Sequence, residues 1–349
     1  MGDIILTREA PFGEVGMLKS CDNLFLGQRL ILFRINEEKA NSKFVLYSFQ
    51  HADMQTQLKA LASGSTVEHI RVPDAESITI ELPERKIQDR IATVLSSYED
   101  LFDNHSRRIA ILEELAQRLY REWFVHFRFP KYENVKMVES ELGMIPEGWS
   151  IKPFSDLVVI NPKYSKPQVN SFSYVEMAGL NNKNMLVNLA GKRDKFAGSK
   201  FSNGDTLVAR ITPCLENGKT GFVQCLKENE VGVGSTEFIV LRSDKLSPEM
   251  VYLIARQSDF RGILIKSMFG ASGRQRANVD VLKEYRIPFP PAEIISTFQK
   301  RVQPLFKNIE ILNKKSINLQ RTRDLLLPRL ISGDIDVSSI DKPVSEVSL

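Results

Sequence analysis

The densest group of side chains able to read a patterned polar surface is SGRQRAN, residues 272–278. Arginine offers two parallel N–H donors that match O6 and N7 of guanine, and glutamine or asparagine matches N6 and N7 of adenine. Arg274, Gln275, Arg276 and Asn278 therefore gather base-reading chemistry in one short stretch, although the same residues also suit a solvated loop. Arg210, Lys219 and Lys200 suit phosphates, which position a duplex without specifying its sequence, and equally suit a plain surface. Arg8, His69 and Arg71, with Lys19 and Arg29, stand at comparable places earlier in the chain. They are weaker candidates, because STVEHIR (65–71) lacks the paired arginines and Glu9 stands where Ile211 does later.

The one hint of catalysis is NPKY, residues 161–164. It is similar to the N-P-P-Y signature of adenine methyltransferases, in which an asparagine holds the target amino group and the aromatic ring stacks on a flipped base. Lys163 replaces a proline, and no glycine-rich turn after a strand precedes it, so no catalytic residue is expected. His51, His69, His105 and His126 have no ligand spacing, and Cys21, Cys214 and Cys225 are too scattered for a zinc site or a disulfide framework. No metal and no cofactor are expected.

These candidates lie in a chain of 349 residues, 42% hydrophobic and 26% charged, enough for two or three cores. A net charge of +4 permits contact with nucleic acid without requiring it. No apolar run reaches the roughly 18 residues needed to cross a bilayer, and Met1 is followed by Gly-Asp rather than by a charged and apolar leader. A cytoplasmic protein without a membrane partner is the expectation.

The elements that must position the candidates occur twice. GDIILTREAPFGEVG from Gly2 aligns with GDTLVARITPCLENG from Gly204 at an offset of 202, matching Gly2, Asp3, Arg8, Pro11 and Gly16 to Gly204, Asp205, Arg210, Pro213 and Gly218. ASG at 62–64 answers ASG at 271–273, and the strand-like SITIELP ending at Pro83 answers EYRIPFP ending at Pro290. One helical stretch is predicted over about 43–61, with Phe44, Tyr47, Leu58 and Leu61 on its apolar face. The second copy also has some 55 residues, 149–203, with no counterpart ahead of Gly2. Either that part of the first copy is lost, or another chain provides it. The expectation is a first unit that leaves apolar surface uncovered where those residues would pack.

A long helical pattern follows each copy. The predicted seams are Ile87, Ile91, Val94, Tyr98, Leu112 and Leu119 in the first, with a slip near His105, and Val302, Leu305, Ile309, Leu312, Leu319 and Leu326 in the second. Pro304 predicts a kink or a late start for the second helix. At about 1.5 Å per residue such helices are roughly 60 Å long. Residues 84–124 carry seven basic and eight acidic side chains, residues 298–330 eight basic and two acidic, so the pair favours antiparallel packing on each other over packing on separate partners.

The division is then a partial first domain at 1–83, a spacer helix at 84–126, a linker at 127–148, a complete second domain at 149–291, a second spacer helix at 292–332 and a polar, frayed tail at 333–349. The fold class is α+β: two mixed α/β domains, the first incomplete, separated by a long antiparallel coiled coil of two helices.

Three stretches carry a family resemblance: LGMIPEGW at 142–149, LPERKIQDRIATVLSSYEDLFDN at 82–104 and LLLPRLISGDI at 325–335. On these the chain resembles the specificity (S) subunits of Type I restriction and modification systems over nearly its whole length. The resemblance implies two target-recognition domains that each read half of a bipartite site in double-stranded DNA, and a coiled coil that sets the gap. It further implies no catalytic activity, and docking of methylation (M) subunits and, through them, restriction (R) subunits. Recognition is expected to be dominated by the second domain. The alternatives are a noncatalytic coiled-coil scaffold, or a half-functional specificity protein that needs a second specificity chain to read DNA.

Overall fold

The structure, a computed structural model, describes residues 2–19, 24–63, 68–271 and 273–338. Cys21, Gly64, Ser272 and residues 339–349 of the expected frayed tail lie outside the described residues. The chain divides into two compact units, 1–104 with 315–349 and 105–314.

In the first unit, β1 (Ile4–Thr7), β2 (Val15–Met17) and β3 (Leu30–Phe33) form an antiparallel sheet in the order β2-β1-β3. The alternation of IILT turns Ile4 and Leu6 inward. There they meet Val45, Leu46 and Phe49 of α1 (Ser42–Gln50) and Met54 and Leu58 of α2 (Ala52–Leu61). Asn41 caps α1 by accepting from the Phe44 N–H at 3.1 Å. The single stretch predicted over 43–61 is two helices, because His51 is extended (φ −70°, ψ 146°) and its Nδ1 accepts from the Asp53 N–H that opens the second. The short α3 (Val72–Ala75) follows.

Residues 85–104 of α4 (Arg85–Tyr120) complete this unit together with residues 315–331 of the chain's last helix. Ile91, Ala92 and Leu95 pack with Leu327 and Leu330, and with Phe44 and Tyr47 of α1. The Tyr47 hydroxyl donates to Glu99 at 3.0 Å, and Arg323 lies 4.0 Å from the same carboxylate. The segments run antiparallel here. Of the seam positions, Ile91 is buried while Ile87, Val94, Tyr98, Leu319 and Leu326 are half-buried; Leu95, Leu327 and Leu330 sit deeper, since the helices also face α1.

The second unit takes the rest of α4, which ends in a π-helical turn at Arg121–Val125. Residues 127–148, expected as a linker, instead carry the hairpin β4 (Met137–Ser140) and β5 (Gly143–Pro146). Its Ile145 is buried in the unit's core with Phe129 and the adjoining Trp149, so the polar composition of the stretch concealed two apolar anchors.

Then come β6 (Ser150–Pro153), α5 (Phe154–Leu157), β7 (Val159–Ile160), β8 (Phe172–Val175), β9 (Gly191–Arg193), β10 (Ser199–Phe201), β11 (Thr206–Ala209), β12 (Thr220–Phe222), β13 (Gly232–Gly234) and β14 (Phe238–Arg242). After these follow α6 (Pro248–Ala255), α7 (Ser258–Lys266), β15 (Met268–Phe269), β16 (Arg276–Ala277), α8 (Val281–Glu284), β17 (Arg286–Phe289) and α9 (Ala292–Ile331). Two four-stranded sheets, β12-β11-β14-β7 and β10-β13-β8-β9, form the body of the unit.

Helix α9 begins at Ala292 and continues past Pro304 rather than starting there. Its Val302, Ile309 and Leu312 are buried, with Leu305, Leu112 and Leu119 partly so. Phe298 packs on Tyr120, Trp123 and Phe124, which joins the start of α9 to the end of α4. Phe306, outside the predicted seam, meets Phe222 and Tyr252 at centroid distances of 5.1 and 5.8 Å.

The repeat is structural. β1, β2, β3, α1 and α2 of the first unit answer β11, β12, β14, α6 and α7 of the second in order and pairing. Arg34 holds Asp3 as Arg242 holds Asp205, each guanidinium Nε donating to the carboxylate, at 3.0 and 2.7 Å. The loop after the first strand is longer in the second unit (210–219 against 8–14), so Gly16 pairs across to Ile5 where Gly221 pairs to Leu207. The sequence match of Gly16 with Gly218 is therefore displaced: Gly218 (φ +75°) corresponds to Gly13 (φ +83°). Ser63, bridged to His69, likewise answers Phe269, bridged to Arg276, rather than Ser272.

The units differ at one edge. EYRIPFP contributes β17, which pairs with β6, whereas SITIELP forms no strand. β14 is covered by β7, and Asn161 exchanges hydrogen bonds with Val240 there. In β3 the ladder turns the Leu32 N–H and C=O away from β1, and nothing among the described residues meets them. The first unit's core is not left uncovered as expected: Ile4 and Leu6 are fully covered, and the exposed apolar side chains, Phe25 at 96% with Leu24, Leu26, Val72 and Leu82, lie outside it.

Candidate nucleic-acid interface

In the second unit the candidates converge on the end of β11. The Arg210 N–H donates to the Glu237 carbonyl, its own carbonyl accepts from the Ala277 N–H, and the Thr212 N–H donates to the Gln275 carbonyl. Arg210, Gln275 and Arg276 are thus tied together by backbone. Arg276 donates from Nε to both oxygens of Glu237 at 2.9 and 3.0 Å, with its Nη2 at 2.8 Å. Those hydrogen bonds raise the arginine's pKa above its ordinary value. Arg210 Nε lies 4.0 Å from the same carboxylate, too far to bond, and is buried without a hydrogen-bond partner among the described residues. Asn278 turns its side-chain oxygen to the Asp280 N–H, and Arg274 is exposed. Lys219 donates to the Met177 carbonyl at 3.0 Å, so its ammonium is held at the short 3-10 turn that follows β8.

Lys200, a candidate by its residue type, closes a basic segment whose other cations are not among the candidates above. KRDKFAGSK, 192–200, carries Lys192, Arg193, Lys195 and Lys200 with Phe196 among them, and that interleaving of cations with an aromatic was the available signal. The segment crosses from β9 at one edge of its sheet to β10 at the other. The Arg193 guanidinium lies 3.4 Å from the Tyr174 ring centroid, and the Lys200 ammonium 5.5 Å from that of Phe196. Tyr174, Lys192, Arg193, Asp194 and Lys195, with Ser235 and Thr236, line an open cleft of about 660 Å³. Thr236, at the cleft, directly precedes Glu237, the partner of Arg276.

A glycine fixes this approach. Gly198 has φ +84°, and a Cβ there would lie 1.9 Å from the Gly234 carbonyl oxygen at the end of β13. Gly198→Ala is expected to cost about 1 to 3 kcal/mol, through strain at positive φ and a clash with backbone that cannot yield. Chemical denaturation of the variant checks this.

The first unit holds its candidates differently. Arg71 makes a two-pronged pair with Asp74, Lys19 pairs with Asp103, and Arg29 lies 3.3 Å from Glu9. His69 Nε2 is 3.3 Å from the Ser63 hydroxyl. Arg8 repeats the backbone pattern of Arg210, donating to the Arg29 carbonyl and accepting from the Ile70 N–H.

NPKY has a structural use. Asn161 pins Val240 at the edge of β14, and the Tyr164 hydroxyl donates to Asp205, which also accepts from Arg242. Burial pushes the Asp205 carboxyl up, whereas the Arg34 hydrogen bond holds Asp3 below its ordinary value. Burial also raises the Cys225 thiol to about 11. Among the described residues no cluster of histidine, cysteine or carboxylate groups is suited to hold a metal ion, and no helix is long and apolar enough to cross a membrane.

Residues 1–114 and 146–321 match the family model described as the Type I restriction modification DNA specificity domain. The chain belongs to that family. Among similar proteins is the specificity subunit of the Type I restriction enzyme MjaIX of Methanocaldococcus jannaschii, 26% identical over 346 residues, covering 97% of this chain and 79% of the relative. The Escherichia coli EcoEI specificity subunit is 32% identical over 168 residues, 45% of this chain and 28% of that one. Of solved structures, the Type I S subunit from M. genitalium superposes with a TM-score of 0.53 at 18% identity, covering 94% of this chain and 82% of that one. The fold is shared. As a specificity subunit the chain is the noncatalytic, DNA-binding component of a Type I restriction-modification system.

Proposed function

We propose that the chain reads a bipartite site in double-stranded DNA, that residues 149–291 supply the stricter half, and that it docks methylation subunits and, through them, restriction subunits. The setting is the cytoplasm. The observation that carries this reading is the joining of Arg210, Gln275 and Arg276 at one backbone knot beside the basic cleft of the second unit. Arg274, Gln275, Arg276 and Asn278 are the base-reading candidates of that half, with Arg210, Lys200 and Lys219 on the phosphate side. Arg8, His69 and Arg71 are their counterparts in the first unit, where Arg71 is already committed to Asp74. The coiled-coil seam residues serve as the spacer in this reading.

Mapping methylated adenines in cells that carry the chain and its methylation subunit tests the proposal. The expected target has one sharply defined half and one relaxed half. Two equally strict halves contradict dominance by the second unit.

The open edge of β3 favours a second reading, in which a strand of another specificity chain completes the first unit as β7 completes β14. Co-expression with such a chain then sharpens the relaxed half.

A further inference from the structure

Glu237 and Arg29 occupy the same place in the two units. Each directly precedes the third strand of the repeat, β14 or β3, and each offers its carbonyl to the N–H of the repeated arginine, Arg210 or Arg8. Arg276 and His69 correspond in the same way, each directly preceding the residue whose N–H donates to that arginine's carbonyl. A carboxylate facing an arginine in the second unit is thus replaced by an arginine at the place of the carboxylate, and a histidine at the place of the arginine, in the first.

We propose that Glu237 is the positioning residue that sets base preference in the second unit, by holding Arg276 as a fixed two-pronged donor toward DNA. The inference rests on the DNA-reading function proposed above. A guanidinium has five N–H groups; Glu237 takes the one on Nε, and a carboxylate oxygen lies 2.8 Å from Nη2. The two Nη groups still present a parallel pair of N–H donors along the opposite edge, which is the pattern that O6 and N7 of guanine accept. The Arg276 side chain remains 45% exposed, so this edge is open to a ligand, while the Glu237 side chain is only 19% exposed and acts from behind. An unheld arginine loses rotamer freedom on binding; one held by a carboxylate has already lost it.

The pair also has no net charge, so Arg276 contributes little attraction to phosphate while it is held. Glu237 therefore trades non-specific affinity for discrimination. In the first unit Arg29 lies 3.3 Å from Glu9 instead.

The test uses the full chain, the duplex it selects from a random-sequence pool, and duplexes with single base-pair changes. Glu237→Gln is expected to reduce discrimination at one base pair by roughly 10- to 100-fold, the range of a lost two-pronged contact. The same variant is expected to bind unrelated duplex a few-fold more tightly, with a salt dependence steeper by about one released ion. A variant that is merely damaged loses both affinities together. Arg276→Lys keeps the charge and loses the same discrimination, and the double variant is no worse than Arg276→Lys alone. The inference is overturned if Glu237→Gln keeps its discrimination at every position, or if specific and non-specific affinity fall together. A wild-type chain that discriminates nowhere overturns the DNA-reading function itself, and the inference with it.

Discussion

Replacing Glu113 by alanine is expected to lower the stability of the second unit by about 3 to 5 kcal/mol, read by chemical denaturation. Glu113 is 2% exposed on α4. Its carboxylate accepts from the Tyr252 hydroxyl at 2.6 Å, the Met185 N–H at 2.7 Å and the Gln117 side chain at 3.1 Å, with Arg256 at 3.9 Å. Tyr252 belongs to α6, and Met185 lies beside β12, where its carbonyl accepts from the Phe222 N–H. One side chain of the spacer helix thus satisfies two buried donors of the mixed domain. Truncation strands both and leaves a cavity, and each stranded donor costs about 1 to 3 kcal/mol.

The variant Glu113→Gln separates charge from shape. Burial raises the Glu113 carboxyl above its ordinary value of 4.5. A group whose folded-state value is raised favours the native state fully below 4.5, and that contribution is lost as pH rises through the raised value. Wild-type stability is therefore expected to decline across that window relative to Glu113→Gln, which keeps an acceptor for Tyr252 and cannot titrate.

The second large effect is on affinity. Replacing Lys192, Arg193, Lys195 and Lys200 together by alanine is expected to weaken binding to every duplex alike, by about 10- to 100-fold at moderate salt. Where each cation meets a phosphate, the slope of log affinity against log salt becomes shallower by about 3 to 4. Base preference is expected to stay unchanged, because phosphate contacts position and do not specify. A salt titration on selected and unrelated duplexes reads both quantities. Loss confined to the selected duplex would instead assign the cleft to base reading.

The long helices were legible because four-three spacing of apolar residues survives any tertiary context, and the repeat was legible because Gly2-Asp3 and Gly204-Asp205 open both sheets. What escaped the sequence depends on contacts between distant residues. Asp3 and Asp205 are held by arginines at the far end of the third strand, Arg34 and Arg242, and nothing local announces the pairing. Glu237 is a single acidic residue before a strand, and acquires meaning only when Arg276 arrives by way of the β15 and β16 turn. Glu113 reads as a solvated helix residue until Tyr252 is placed against it. The span 127–148 read as a linker because its charges outnumber its few buried anchors. NPKY, set aside as a catalytic signature because Lys163 replaces a proline, has its asparagine and tyrosine holding β14 and a buried carboxylate.

Selection from a random-sequence duplex pool, run with the wild-type chain and with a variant in which Arg274, Gln275, Arg276 and Asn278 are all alanine, tests most directly whether the second unit reads sequence. The wild type is predicted to enrich one short, sharply defined motif, and the variant to bind duplex while enriching none. A motif unchanged in the variant, or absent from the wild type, would contradict it.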